Sequence, residues 1–256
     1  MSDSTPKTVT AALVIIGNEI LSGRTKDANM AYLGDALNAL GIRLTEARVV
    51  ADTPDAICGA VNALRVQYDY VFTTGGIGPT HDDITSECIA QAFGLPFGRN
   101  PEAEAILQAY YAEGELTEAR LRMANTPEGA TLIENPVSKA PGFQVENVFV
   151  LPGVPRIMQA MFGGIRHRLV GGQPMISRTV SSHGPEGQAG GPLTELQARH
   201  PDTEIGSYPF FRNGQPGANI VIRAVDAAKA DAAVQDVADM LTSLGGKPII
   251  EESADV

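Results

Sequence analysis

The chain has 256 residues, 43% of them apolar, with 19 basic and 30 acidic side chains and a net charge of −11. This composition supports a sizeable core and excludes disorder throughout, and the acidic balance argues against wrapping nucleic acid. Two cysteines cannot build a disulfide framework or a four-thiolate zinc site, residues 1–7 lack the basic and apolar parts of a signal peptide, and no apolar run approaches the roughly 18 residues of a membrane span.

The expectation is a soluble cytoplasmic α/β chain with no nucleic-acid or membrane partner. Residues 9–16 form a short, partly β-branched apolar run closed by Gly17, which predicts a buried strand. From Asp27, Met30, Leu33, Leu37 and Leu40 fall at helical spacing, and Gly41 stops them. A second strand over Ile42–Val50 leads to Thr53-Pro54, a cap and first-turn proline for a helix that buries Ile57, Val61 and Leu64. Asp69–Thr74 reads as a third strand, followed by Gly75-Gly76-Ile77-Gly78-Pro79-Thr80 and a helix over about Thr85–Phe93. Alternating strands and helices predict βαβ units with function in loops at the strands' carboxyl ends.

A polar helical stretch is expected from Pro101 to about Asn125, then two strands within Gly142–Leu151 turning at Glu146-Asn147, and a helix from Pro155 to about Leu169. Gly171-Gly172-Gln173-Pro174 reads as a linker, giving domains 1–171 and 172–256. The second reads as a small α+β domain: strand 176–183, helix 192–200, strands 203–210 and 218–225, helix 226–244 and a terminal strand.

The strongest local feature is Thr73-Thr74-Gly75-Gly76-Ile77-Gly78-Pro79-Thr80-His81-Asp82-Asp83. Glycines after a strand let the backbone turn sharply, and the N–H groups of the turn and following helix favour an anion such as phosphate. Asp82 and Asp83 would repel a bare phosphate, so a divalent cation between them gives their placement sense, Mg²⁺ typically taking one or two carboxylates plus phosphate oxygens. An ordinary glycine-rich turn with acids near a helix start accounts for the spacing equally well. Glu19, in the loop after the first strand, can join Asp82 and Asp83 around that metal if the parallel sheet holds. Asp27 in the same loop is read as a helix cap. Arg24 and Lys26 either meet ligand phosphates or are solvated loop charges. Leu151-Pro152-Gly153-Val154-Pro155 is a rigid bend in which Gly153 permits close approach, and Lys139 is a weak anion contact. Nothing marks Cys58 or Cys88 as a nucleophile, and both are expected to be buried.

Gly17-Asn18-Glu19-Ile20-Leu21-Ser22-Gly23 with Asp27-Ala28-Asn29, the Thr73–Thr85 segment, Ala140-Pro141-Gly142-Phe143 and Leu151–Pro155 together resemble the molybdopterin-binding-domain family, in the form of the amino-terminal region of competence/damage-inducible protein A (CinA). The likeness runs in order from about residue 9 to 168, and the tail is similar to the smaller domain that follows in CinA proteins. It implies a three-layer α/β/α domain with a mainly parallel sheet, followed by a smaller α+β domain, and a homo-oligomer. For function it implies a small phosphorylated ligand, a nucleotide or pterin, and metal-dependent hydrolysis of a pyrophosphate bond in a substrate like ADP-ribose or FAD. The metal, Mg²⁺ or another divalent cation, would neutralise phosphate oxygens and activate water. By this resemblance Asp82 and Asp83 are catalytic, Glu19, Asp82 and Asp83 hold metal, and Thr74, Gly75, Gly76, Gly78, Thr80, Asn29 and Gly153 bind the ligand. The alternatives are a non-catalytic module whose ligand is molybdopterin, or a Mg-ATP-dependent molybdopterin adenylyl transferase. Two departures stand out: Ile157 occupies a position usually acidic in the family, and Ser138-Lys139 replaces a Gly and a small residue before Ala-Pro-Gly. The chain given ends where CinA proteins continue into a pyridine-nucleotide deamidase domain, so that activity is not expected of it.

Overall fold

A computed structural model of the chain describes residues 8–184, 186–212 and 214–251. The opening segment 1–7, read above for a leader, lies outside the described residues. The chain divides into two compact units, Met1–Gly172 and Gln173–Val256.

In the first unit the elements run β1 (Val9–Ile16), a single-turn α1 (Asn18–Leu21), α2 (Asn29–Asn38), β2 (Ile42–Val50), α3 (Pro54–Arg65), β3 (Tyr70–Thr74) and α4 (Thr85–Phe93). They continue with β4 (Phe97–Arg99), α5 (Pro101–Tyr110), α6 (Glu118–Leu121), β5 (Asn125–Pro127), β6 (Thr131–Ile133), β7 (Gly142–Val145), β8 (Val148–Leu151) and α7 (Pro155–Ile165). The main sheet has the order β2-β1-β3-β8-β7-β6. Its first four strands are parallel, and β7 and β6 complete it antiparallel.

Alternate residues of each strand serve opposite faces, which makes three layers. Leu13, Ile15, Phe72 and Phe149 pack beneath Leu33 and Leu37 of α2 and Met158 and Phe162 of α7. Val14, Ile16, Val71 and Val150 pack beneath Ile57, Val61 and Leu64 of α3 and Ile89 of α4. With both faces covered, the central strands have no solvent-facing side, and this is why they read as continuous apolar runs rather than alternating ones.

The local readings need four corrections. Met30 is 45% exposed, because the buried stripe of α2 runs through Asn29, Leu33 and Leu37. Thr53 occupies the N-cap position of α3 but its side chain makes no capping hydrogen bond, and Pro54 alone sets the first turn. The helix expected from Pro101 to Asn125 breaks at Tyr111, whose backbone is extended, and Gly114 in the left-handed region carries the chain away. Thr117 then caps α6 by accepting from the Arg120 N–H at 3.3 Å, and β5 returns to pair antiparallel with β4. Finally, of the two cysteines only Cys88 is buried, its thiol pushed up to about 12 chiefly by that burial; Cys58 is half-buried.

The second unit has β9 (Ile176–His183), α8 (Gly190–Arg199), β10 (Glu204–Arg212), β11 (Gln215–Ala224), α9 (Ala227–Ser243) and β12 (Ile249–Glu251). Its sheet, β10-β11-β9-β12, is antiparallel throughout. Val180, Ile220 and Ile222 bury against Val234, Val237 and Leu241 of α9, which starts where Asp226 accepts the N–H groups of Ala228 and Lys229. Among the described residues no helix is long and apolar enough to cross a membrane.

Candidate functional site

Parallel register decides where the loops of the first unit meet. Ile15 aligns with Thr74, Thr74 with Leu151, and Ile16 with Val50, so β1, β2, β3 and β8 all end at one edge of the sheet. The loops leaving that edge enclose a cavity of about 690 Å³.

The central loop turns by means that only glycine supplies. Gly75 has φ 106° and Gly76 φ 67°, both left-handed. A Cβ on Gly75 would lie 2.1 Å from the Ile16 carbonyl oxygen, and one on Gly76 would lie 2.2 Å from Thr85 Oγ1. Thr85, fully buried at the start of α4, pins both: its hydroxyl donates to the Gly75 carbonyl and its N–H to the Gly76 carbonyl, each at 2.9 Å. The Gly75 N–H continues the ladder to Leu151, whereas the N–H groups of Gly76, Ile77 and Gly78 meet no protein acceptor among the described residues. Successive backbone N–H groups in such a turn form a concavity suited to an anion. Further on, Asp83 Oδ2 closes the loop by accepting from the Thr80 N–H at 2.8 Å and the Thr80 hydroxyl at 2.5 Å.

Two other loops brace this one. A Cβ on Gly153 would lie 3.3 Å from Gly75 Cα, so the two turns touch. Asn29, at the start of α2 and 3% exposed, donates from Nδ2 to the Gly153 carbonyl at 2.9 Å, while its Oδ1 has no partner. Asn29→Asp is expected to destabilise the protein by about 2–3 kcal/mol, because a buried carboxylate would face a carbonyl it cannot donate to. Urea unfolding checks this, and a variant as stable as wild type would show that the Gly153 turn does not depend on Asn29. On the opposite side Asp52 Oδ2 accepts from the Asn18 N–H at 2.7 Å, fixing the turn that carries Glu19.

Glu19, Gly75, Gly76, Gly78, Asp82, Asp83 and Gly153 therefore line one cavity. Thr74, Thr80 and Asn29 do not reach its wall. Thr74 is buried inside the sheet edge, Thr80 spends its N–H and hydroxyl on Asp83, and Asn29 is committed to Gly153. Asp27 caps α2 by accepting from the Met30 N–H at 2.8 Å. Arg24 and Lys26 are exposed and off the wall, and Lys139 pairs with Glu134. His81 projects into solvent, its side chain 95% exposed.

Asp52 joins Glu19, Asp82 and Asp83 as a fourth acid on the wall, and Arg120 is the one basic side chain there among the described residues. The Asp82 carboxyl is held below the usual carboxylate range, first by the Thr80 side chain, then by its own backbone N–H, with neighbouring His81 adding to them. Among the described residues no three of His, Cys, Asp or Glu group closely enough to hold a metal ion by themselves. A cation here would therefore rest on one or two carboxylates and on oxygens of a bound phosphate, a donor set that suits Mg²⁺. Sequence reasoning passed over Asp52, Tyr111, Arg120 and Met123, all of which line the cavity. Only Asp52 carried a signal: it follows a strand that ends in step with its neighbours.

Residues 12–170 match the profile of a family described as "Probable molybdopterin binding domain", and residues 174–245 match one described as "FAD synthase, middle domain". A protein of Archaeoglobus fulgidus is 35% identical over 197 residues, spanning 77% of this chain and 84% of its own. A CinA-like protein of Desulfosudis oleivorans is 34% identical over 209 residues, or 77% of this chain but 51% of that protein, so the chain spans about half of it. The crystal structure of the protein CinA, with unknown function, from Thermoplasma acidophilum superposes with a TM-score of 0.60 at 36% identity, covering 63% of this chain and 99% of that one.

Proposed function

The chain belongs to the molybdopterin-binding-domain family in its CinA-like form, and from that premise we propose that the cavity binds a small phosphorylated ligand, a nucleotide or pterin, and hydrolyses a pyrophosphate bond in an ADP-ribose- or FAD-like substrate. The observation that carries the reading is the run of N–H groups at Gly76, Ile77 and Gly78 without a protein acceptor among the described residues, in a turn that lines a cavity also holding ionisable acids. The match of residues 174–245 to an FAD synthase domain agrees with a nucleotide-type substrate.

In this reading the loop N–H groups hold one phosphate against the turn, and Thr85 keeps the turn from opening when charge arrives. Asp83 holds residues 77–80 in position through Thr80, and Asp82, ionised and exposed at the mouth, supplies negative charge opposite the phosphate. A divalent cation bound there would offset the repulsion between the two and lower the pKa of a bound water. Glu19 and Asp82 are the residues that would hold it, with Asp83 and Asp52 adding charge nearby.

The test is to incubate the protein with ADP-ribose and FAD, with and without Mg²⁺, Mn²⁺ or Co²⁺, and to separate products by chromatography. AMP released only with metal is the expected result. No product with any metal, from folded protein, would overturn hydrolysis and favour the second reading, a molybdopterin-binding module without turnover. Two observations favour that alternative: the acids do not converge as a group of three, and Ile157 lines the cavity. With ATP, Mg²⁺ and molybdopterin supplied instead, an adenylyl transferase would consume the ATP.

A further inference from the structure

The cavity is larger than a phosphate cradle requires, and the part of its wall away from the glycine loop has a different chemistry. The break between α5 and α6 brings Tyr111, Arg120 and Met123 to the cavity lining, to which Val154 and Ile157 add apolar surface elsewhere. Tyr111 packs with Met123 against the small cluster of Ala103, Leu107 and Ala124, so the ring has fixed support. The Arg120 guanidinium lies over the Tyr111 ring, Cζ 4.5 Å from its centroid, and Nη1 donates to the Glu115 carbonyl at 2.5 Å. Arg120 is thus already stacked and tied at one nitrogen, and its flat cationic group lines the same cavity as the Met123 thioether side chain. A guanidinium in this setting stacks plane to plane on aromatic faces, whereas a lysine ammonium offers a ring only a compact point charge. Methionine sulfur adds a favourable edge contact to a planar ring.

We propose that the Tyr111–Arg120–Met123 wall receives the planar nitrogen heterocycle of the ligand, a nucleobase, flavin or pterin ring, and so determines which phosphorylated molecules the cavity accepts. The inference rests on the reading that the Gly76–Gly78 turn holds the ligand's phosphate, but it does not depend on turnover. Arg120 then acts as a specificity residue rather than as a phosphate ligand, and the cavity distinguishes ring-bearing from ringless phosphates.

Calorimetric titration without metal, using AMP and FMN against ribose 5-phosphate, tests it. Wild type is expected to bind at least one ring-bearing phosphate more tightly than ribose 5-phosphate. Tyr111→Ala and Arg120→Lys should each weaken that ligand about tenfold, the scale of one base–aromatic stack, and leave ribose 5-phosphate unchanged. Tyr111→Phe should bind like wild type. Unchanged ribose 5-phosphate affinity in the variants also shows that the cavity is intact. Three results would overturn the proposal: no advantage of a ring in wild type, equal loss for ringless and ring-bearing ligands, or no loss in either variant. Ring discrimination with no hydrolysis would sink the hydrolase reading alone; hydrolysis with no effect of Tyr111 or Arg120 would sink this inference alone.

Discussion

Replacing Gly75 with alanine is expected to cost about 3 kcal/mol or more of folding free energy. Two separate penalties combine at this residue. Its φ of 106° lies beyond what an L side chain adopts comfortably, and a Cβ would meet the Ile16 carbonyl oxygen at 2.1 Å. That oxygen belongs to the last residue of β1, 2% exposed and held in register with Val50, so it cannot retreat without breaking the sheet edge. Gly94 supplies the control. It has φ 65° and open space within 4 Å of where a Cβ would stand, so Gly94→Ala should cost about 1 kcal/mol, the backbone penalty alone. The difference between the two variants in urea unfolding isolates the clash. Gly78→Ala behaves differently again: its Cβ would meet Asp83 Oδ2 at 2.6 Å, a side-chain end that can move. That substitution should spare stability and damage the site. If Gly75→Ala proved no worse than Gly94→Ala, the edge would be soft, and a rigid phosphate turn built on it would have no support.

How much of this is legible in the sequence depends on what each residue answers to. The central parallel strands β1, β3 and β8 announce themselves because burial on both faces leaves apolar runs, whereas β2 at the sheet edge alternates with exposed residues; the four are followed by Gly17, Gly75, Pro152-Gly153 and Asp52. From those endings alone, Glu19, Asp82, Asp83 and the glycines fall near one another. Side-chain direction is not legible in this way. Thr74, Thr80 and Asn29 sit in the same motifs, yet Thr74 is buried in the sheet edge, and the hydrogen bonds of Thr80 and Asn29 turn inward to hold the loops. The wall formed by Tyr111, Arg120 and Met123 is hidden for another reason. Residues 101–125 are rich in Glu, Ala and Leu, good helix formers, and the break at Tyr111 follows from Gly114, the Thr117 cap and the β4–β5 pairing acting together. No one of these signals outweighs the helical composition when it is read singly.

The sharpest functional contrast is expected between the adjacent acids of the loop. Asp82 is exposed and ionised, and its side chain engages only Thr80 and His81 of its own loop; Asp83 has one oxygen committed to two donors from Thr80. Asp82→Asn should therefore leave melting unchanged and lower metal-dependent pyrophosphate cleavage about a hundredfold or more, the scale of a lost electrostatic contribution. It should also bind AMP more tightly than wild type without metal, because a carboxylate that repels phosphate is gone. Asp83→Asn should lose turnover to a similar degree with the global fold intact, but its metal-free AMP affinity should fall. An amide oxygen in place of Oδ2 can still accept both Thr80 bonds, but without the negative charge that strengthens them, so residues 77–80 loosen around the anion. Melting curves, AMP titrations and product chromatography on the two variants separate these effects. Unchanged turnover in Asp82→Asn would remove that residue from the chemistry. Tighter AMP binding in Asp83→Asn would mean that Asp83 acts as a repelling charge rather than as the brace of the loop. Opposite signs of the two metal-free affinities are what the proposed reading requires, in which Asp82 acts as a charge towards the ligand and Asp83 braces Thr80.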